Sequence, residues 1–210
     1  MRRPRFIAEQ AREPHGPLGR LIAWIMARET RSENRRAIEA LDVRAEDHVL
    51  DVGCGHGASL APLAQRASRG RVTGSDPAAL MCEIAERANR ALVREGRVEI
   101  VRASAERLPL ADASIDAVLC VHVAYFWNDL GAALREIARV TRPGGRFAMV
   151  VRTSANAATR AFPASVYRFP TLRELEDVAR AAGFAAELRG AEDEARAAIL
   201  LVARRSPGRN

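Results

Sequence analysis

Two acids, three alternating glycines and one histidine flanked by aromatics carry the chemistry that can be read along this chain. In Val49-Leu50-Asp51-Val52-Gly53-Cys54-Gly55-His56-Gly57 a short apolar run, interrupted by Asp51, breaks into Gly-x-Gly-x-Gly. Glycine reaches backbone angles closed to other residues, and its missing side chain lets a ligand lie against the main chain. A helix that can follow over Ala58–Ala67 offers unpaired N–H groups and a positive dipole end. Together these make a nucleotide-type cradle. Gly53-x-Gly55-x-x-Ala58 also fits the dinucleotide fingerprint, so the glycine spacing alone leaves hydride-transfer cofactors open. Farther on, Cys120-Val121-His122-Val123-Ala124-Tyr125-Phe126-Trp127 closes another apolar run. Its imidazole suits a general base or the border of a cofactor site. Tyr125, Phe126 and Trp127 suit the wall of an apolar or cationic pocket, or a layer packed beneath N-terminal helices.

The elements that must hold these residues alternate. His48–Val52 reads as a first strand, and Arg71-Val72-Thr73-Gly74-Ser75-Asp76 as a second that ends in an acid. Pro77 opens a helix with Leu80, Ile84, Ala88, Ala91 and Leu92 on one face, closed by Gly96. Val98–Val101 and Ile115–Val121 are the third and fourth strands. A helix over Asn128–Val140 leads through Thr141-Arg142-Pro143-Gly144-Gly145 into a fifth strand, Arg146–Val151. After an irregular segment, Arg152–Pro170, Thr171 with Glu174 forms a capping box for a helix ending near Gly183. Phe184–Arg189 and Ala197–Ala203 close the chain as an antiparallel hairpin, and Ser206–Asn210 should fray. The alternation predicts an α/β fold, a parallel sheet with helices on both faces.

Ahead of the first strand, residues 1–16 are rich in arginine and contain two prolines and a glycine, and read as a loose arm. Leu18, Leu21, Ile22, Ile25 and Met26 recur at helical spacing after Pro17, and a second helix capped by Thr30 or Ser32 buries Ala37, Ile38 and Leu41. Residues 17–42 thus form a helical cap on a 45–152 core, with 153–205 supplying an acceptor-side loop, a helix and the hairpin, all in one domain. Covering the carboxyl edge of the sheet would bury the cap's apolar stripe; padding the sheet's flank would do so equally.

Composition narrows the classes. The 210 residues, 48% hydrophobic and 28% charged, suit one globular domain. No apolar run nears the roughly 20 residues of a transmembrane helix, and the start of the chain is too polar for a secretory signal, so a cytoplasmic protein is expected. Cys54, Cys82 and Cys120 form no Cys-x-x-Cys pair, and the four histidines lack metal-ligand spacing, so no metal site is expected. The net charge of +7 comes entirely from arginines scattered among acids. No specific nucleic-acid partner is expected from it.

Four motifs in order resemble the class I S-adenosylmethionine (SAM)-dependent methyltransferases, of the bacterial small-molecule type. They are Val49–Gly57; Asp76, about 25 residues after Asp51; Ala103-Ser104-Ala105-Glu106-Arg107-Leu108-Pro109-Leu110 running into strand four; and Leu134–Gly145 before strand five. The resemblance implies a seven-stranded, doubly wound, Rossmann-like sheet of order 3-2-1-4-5-7-6 with the last strand antiparallel. It implies S-adenosylmethionine as cofactor. It carries cofactor contacts to Asp51, Gly53, Cys54, Gly55, Gly57, Asp76, Pro77, Met81, Ser104, Ala105, Glu106, Cys120 and Val121. Asp76 would take the ribose diol and Ala105 would offer its N–H to the adenine. Ser104 stands where the family usually has an acid. A SAM-binding regulatory or partner subunit without turnover is one alternative reading, and an NAD(P)-dependent oxidoreductase a more distant one, since it accounts for the glycines and Asp76 but leaves the last two motifs and the terminal hairpin unexplained. The segment after strand four lacks the Asn/Asp-Pro-Pro-Tyr run of enzymes that methylate exocyclic amines and the Pro-Cys of a cysteine nucleophile. The expected acceptor is therefore a small, partly apolar molecule, with His122 and Tyr125 as candidate catalytic residues; a monomer and a homodimer both fit.

Overall fold

A computed structural model describes residues 4–207, apart from the side chains at 23, 24, 26–29 and 192. The chain runs α1 (Arg5–Arg12), α2 (Gly16–Glu29), α3 (Arg31–Leu41), β1 (His48–Val52), α4 (Leu60–Arg66), β2 (Arg71–Asp76), α5 (Ala79–Ala88), α6 (Arg90–Arg94), β3 (Val98–Arg102), β4 (Ile115–Val121), α7 (Leu130–Val140), β5 (Thr141–Val151), α8 (Leu172–Ala181), β6 (Phe184–Arg189) and β7 (Ile199–Arg205). The sheet has seven strands in the order β3-β2-β1-β4-β5-β7-β6. β1 to β5 pair in parallel, and β7 runs antiparallel between β5 and β6. The doubly wound architecture expected from the motifs is the one observed.

Strand alternation divides the core into two layers. Val49, Ala117, Leu119, Ala148 and Val150 pack with Ala37, Ile38 and Leu41 of α3 and Leu60 and Leu63 of α4. Leu50, Val52, Val118, Cys120, Phe147 and Met149 face the other way, against Leu134 and Ile137 of α7 and Leu175 of α8. A parallel sheet covered on both faces reads as continuous apolar runs, and all five residues of β1 are buried.

Five local features differ from the sequence reading. The arm is not loose: residues 5–12 form α1, and Ala8 is buried in the cluster that holds Tyr125, Trp127 and Tyr167. The helix after Pro77 is interrupted at Asn89, whose side-chain amide donates to the Gly57 and Ala85 carbonyls instead of leaving the turn regular. β5 begins at Thr141, and Arg142–Gly145 loops out between two paired stretches, Ile115 opposite Thr141 and Ala117 opposite Arg146. On α2 the stripe is only partly buried. Ile22 is covered, Leu18, Leu21 and Ile25 stay exposed, and the expectations for Met26 and for residues 208–210 lie outside the described residues. The capping box is half formed, with Thr171 accepting from the Glu174 N–H at 3.1 Å.

Below the sheet, at the amino end of β1, the buried carboxylate of Asp47 pairs with the buried guanidinium of Arg146 and accepts the Arg44 N–H at 2.7 Å. Removing one partner of such a pair leaves an uncompensated buried charge. Asp47→Ala should therefore cost roughly 3–5 kcal/mol in urea unfolding, and the double replacement with Arg146→Met should recover most of that loss.

Candidate active site: two cavities that meet at His122

The glycine turn is lashed to β2 by backbone bonds. Gly53 N–H and Cys54 N–H both donate to the Ser75 carbonyl, at 2.7 and 2.9 Å. Asp76, at the end of β2, takes Gly55 N–H on one oxygen at 3.1 Å and Ala78 N–H on the other at 2.9 Å. A carboxylate has about four acceptor positions, so two of them stay open. Asp51, at the next strand end, accepts from the Ser59 hydroxyl. Neither acid forms an ion pair among the described residues.

Two buried carboxylates without a cation are costly when ionised. Burial, only partly offset by the Ser59 bond and reinforced by the nearby charge of Asp76, pushes the Asp51 carboxyl up to about 7. Burial raises Asp76 as well, against the two N–H donors that favour its charged form.

The three glycines do different work. Gly53 and Gly57 are pinned by packing: a Cβ on Gly53 would lie 2.5 Å from the Val123 side chain, and one on Gly57 would lie 2.8 Å from Asn89 and 2.9 Å from Ala85. Gly55, at φ +54, would place its Cβ in open space. Only there does the absent side chain keep the cleft itself clear.

That cleft, about 280 Å³, is lined by Asp51, Gly53, Cys54, Gly55, Asp76, Pro77, Met81, Ser104, Ala105, Glu106 and Val121 among the expected cofactor residues. Gly57 is absent from its wall, and the Cys120 side chain is buried in the core. Burial pushes the Cys54 and Cys120 thiols well up, so neither is a ready nucleophile. Glu106 accepts the Asn128 N–H at 2.9 Å, which fixes the loop beyond strand four over the cleft. Arg12 of α1 donates to the Asn128 side-chain oxygen at 3.1 Å and closes the same side. His56, Asn34 and Arg12 line the cleft too, and the sequence reading had given none of them a part. His56 Nε2 is a buried nitrogen without a hydrogen-bond partner among the described residues, and burial holds this imidazole below its ordinary value.

His122 borders this cleft and also a second cavity of about 690 Å³. Phe126, Ala11 and Thr30 are likewise common to both. The second cavity has Tyr125, Phe162, Tyr167 and Phe169 on one side and Ile7, Ala8, Ile22 and Ile25 of the first two helices on the other. Its aromatic rings pack closely, with Tyr125–Phe169 centroids 4.7 Å apart and Phe126–Tyr167 4.8 Å apart. His122 sits at φ 58, a left-handed backbone unusual outside glycine, and its N–H still donates to Val150 at 2.9 Å. Its Nδ1 is 2.8 Å from the Tyr125 hydroxyl, which accepts the Arg152 N–H at 2.6 Å. Its Nε2 is 3.0 Å from Glu33 Oε2, off the line of a good hydrogen bond. Arg152 reaches the other Glu33 oxygen at 3.3 Å. Burial alone would raise the Glu33 carboxyl, but His122 and Arg152 together hold it below its ordinary value.

Fold and cleft define a class I, Rossmann-like SAM-binding architecture. Residues 50–149 match the methyltransferase domain family, and over them the chain carries a class I SAM-dependent methyltransferase domain. It is 36% identical over 143 residues to the methyltransferase GfsG of Streptomyces halstedii, covering 67% of this chain and 51% of that one. To an O-methyltransferase of Pyrenophora dematioidea it is 39% identical over 102 residues, 49% of this chain and 38% of the other. The chain thus spans about half or less of the length of these curated relatives. The solved structure of the YcgJ protein of Bacillus subtilis superposes with a TM-score of 0.71 at 22% identity, over 85% of this chain and all of that one. The residues present fit the family's cofactor: Asp51 is a buried acid with no cation among the described residues, Asp76 keeps acceptor positions open beside its two N–H donors, and Gly55 leaves the space a ligand needs.

Two outcomes test the cleft. Gly55→Ala should weaken SAM binding at least tenfold in calorimetry while costing about 1 kcal/mol of stability, whereas Gly57→Ala should cost more stability than Gly55→Ala. Asp51 has its folded pKa raised from 3.8 to about 7. Its contribution to stability is therefore lost as pH rises through that window. Asp51→Asn should raise the melting temperature at pH 8, by roughly 5 °C, with a smaller gain at pH 5, and should weaken SAM binding.

Proposed function

We propose that this protein transfers a methyl group from S-adenosylmethionine to a small, partly apolar molecule held in the second cavity. The observation that carries the reading is the junction itself: one histidine, at the end of β4, forms a wall of both the polar cleft and the aromatic cavity. When bound, the cofactor supplies an electrophilic methyl carbon on a sulfonium. The chain's part is to align the two ligands and exclude water. Asp76 would hold the ribose diol with its open acceptor positions, Asp51 would face the cationic end, and Ser104, Ala105 and Glu106 would flank the adenine. Met81, 6% exposed on α5 at the cleft wall, would pack against the cofactor.

α3 packs Ala37, Ile38 and Leu41 against the sheet, while Ile7 and Ala8 of α1 and Ile22 and Ile25 of α2 line the second cavity. Among the described residues no helix is long and apolar enough to cross a membrane. The relatives named as methyltransferases, one an O-methyltransferase, support a small-molecule acceptor.

Asp76→Ala should weaken SAM binding by roughly 1.5–3 kcal/mol for each charged hydrogen bond lost, and also loosen the turn at Gly55. Calorimetry that finds tight NADH binding and none for SAM would overturn the reading.

A further inference from the structure

The ring formed by Arg152, Tyr125, His122 and Glu33 fixes where protons can sit. Tyr125 Oη accepts from the Arg152 N–H, so its own proton points at His122 Nδ1, 2.8 Å away. Nδ1 is then an acceptor, and the neutral imidazole carries its proton on Nε2, facing the Glu33 carboxylate at 3.0 Å. The opposite tautomer would set a lone pair against a carboxylate oxygen. A hydroxyl has two acceptor positions, and the Arg152 N–H fills one. The other remains for a ligand in the cavity that Tyr125 lines.

We propose that Tyr125, His122 and Glu33 are a proton-accepting chain, and that the acceptor is an uncharged apolar molecule bearing a hydroxyl, such as a phenol. The assignment rests on the methyltransferase reading above. The acceptor O–H donates to Tyr125 Oη. As its oxygen bonds to the methyl carbon, the carbon–sulfur bond breaks and that electron pair stays on sulfur. The hydroxyl proton passes to Tyr125 while Tyr125 gives its own to His122 Nδ1, and the imidazolium is left facing Glu33. Burial pushes the Tyr125 phenol up, which suits a relay that is never left ionised.

Charge selects the hydroxyl over an amine. Glu33 is the one acid in the cavity wall among the described residues, and it is already shared between His122 and Arg152. No uncompensated negative charge remains for an ammonium group. Glu33 touches no acceptor atom in this scheme; it is a positioning residue, acting through His122.

The test uses the full chain with methyl-labelled SAM and a matched pair of probes, 1-naphthol and 1-naphthylmethylamine, the second an ammonium ion at neutral pH. The phenol should be methylated and the amine should not. Tyr125→Phe and Glu33→Gln should each lower kcat for 1-naphthol by about 10²-fold, the general-base range, with the Kd for SAM unchanged; that Kd also reports a folded site. Raising the pH until 1-naphthol ionises in solution should restore most of the loss in Tyr125→Phe, because the acceptor then arrives without its proton. A merely structural role would not be rescued in this way. Methylation of the amine as fast as the phenol, methylation of neither probe, or full activity in Glu33→Gln would overturn the proposal. Failure of the wild-type chain to bind SAM would instead remove the methyltransferase reading beneath it.

Discussion

Asp51 and Asp76 end neighbouring parallel strands, and strand pairing fixes how close they must lie: Asp51 stands opposite Gly74 and Val52 opposite Ser75. Each is buried and neither has a cation of its own among the described residues. The glycine turn exists around this constraint. Its N–H groups go to the Ser75 carbonyl and to Asp76, and Ser59 gives up its place as a side-chain helix cap to bond Asp51. The local structure thus satisfies the acids as far as neutral donors can. What is left over is a negative potential in a low-dielectric pocket, the condition under which a positively charged ligand gains most.

The second cavity has the opposite character. Its charged groups face one another, in a chain from Arg152 through Tyr125 and His122 to Glu33, and most of the rest of its wall is apolar. Three parts of the chain converge to make it: the end of β4, the 152–170 segment with its aromatic residues, and the first three helices. Arg168 N–H bonds the Tyr125 carbonyl at 2.9 Å and so ties the aromatic segment to the strand-four loop. The two pockets are distinguished by electrostatics and joined by one imidazole.

The sheet was legible in the sequence because its strands are short apolar runs punctuated by turn residues. β1, β2 and β4 fall on the expected residues, and the strand order followed from four motifs in succession. The cleft was legible for the same reason: its residues sit at strand ends, where the motif pattern marks them. Glu33, Asn34 and Arg12 carried no such mark. They lie on helices whose sequence fixes only which side is apolar, and the approach of Glu33 to His122, of Arg12 to Asn128 and of Asn34 to the cleft depends on how those helices dock. α1 escaped notice because arginines and prolines obscured it, and its small buried contact, Ala8, acquires meaning only against Tyr125 and Trp127. The distinct duties of Gly53, Gly55 and Gly57 were also invisible, since clash with Val123 or Ala85 is a tertiary fact.

The left-handed backbone at His122 limits how this site can change over time. A side chain at φ 58 is strained by about 1–2 kcal/mol, and asparagine or glycine would tolerate the same angle better. Either would delete the imidazole that both cavities share. Random drift toward backbone comfort at this position therefore runs directly against retention of the ring. Anyone selecting variants of this chain for new ligands should leave the post alone and remodel the walls, where Ala158, Ala161 and Phe162 face the same cavity and carry none of its proton-bearing groups.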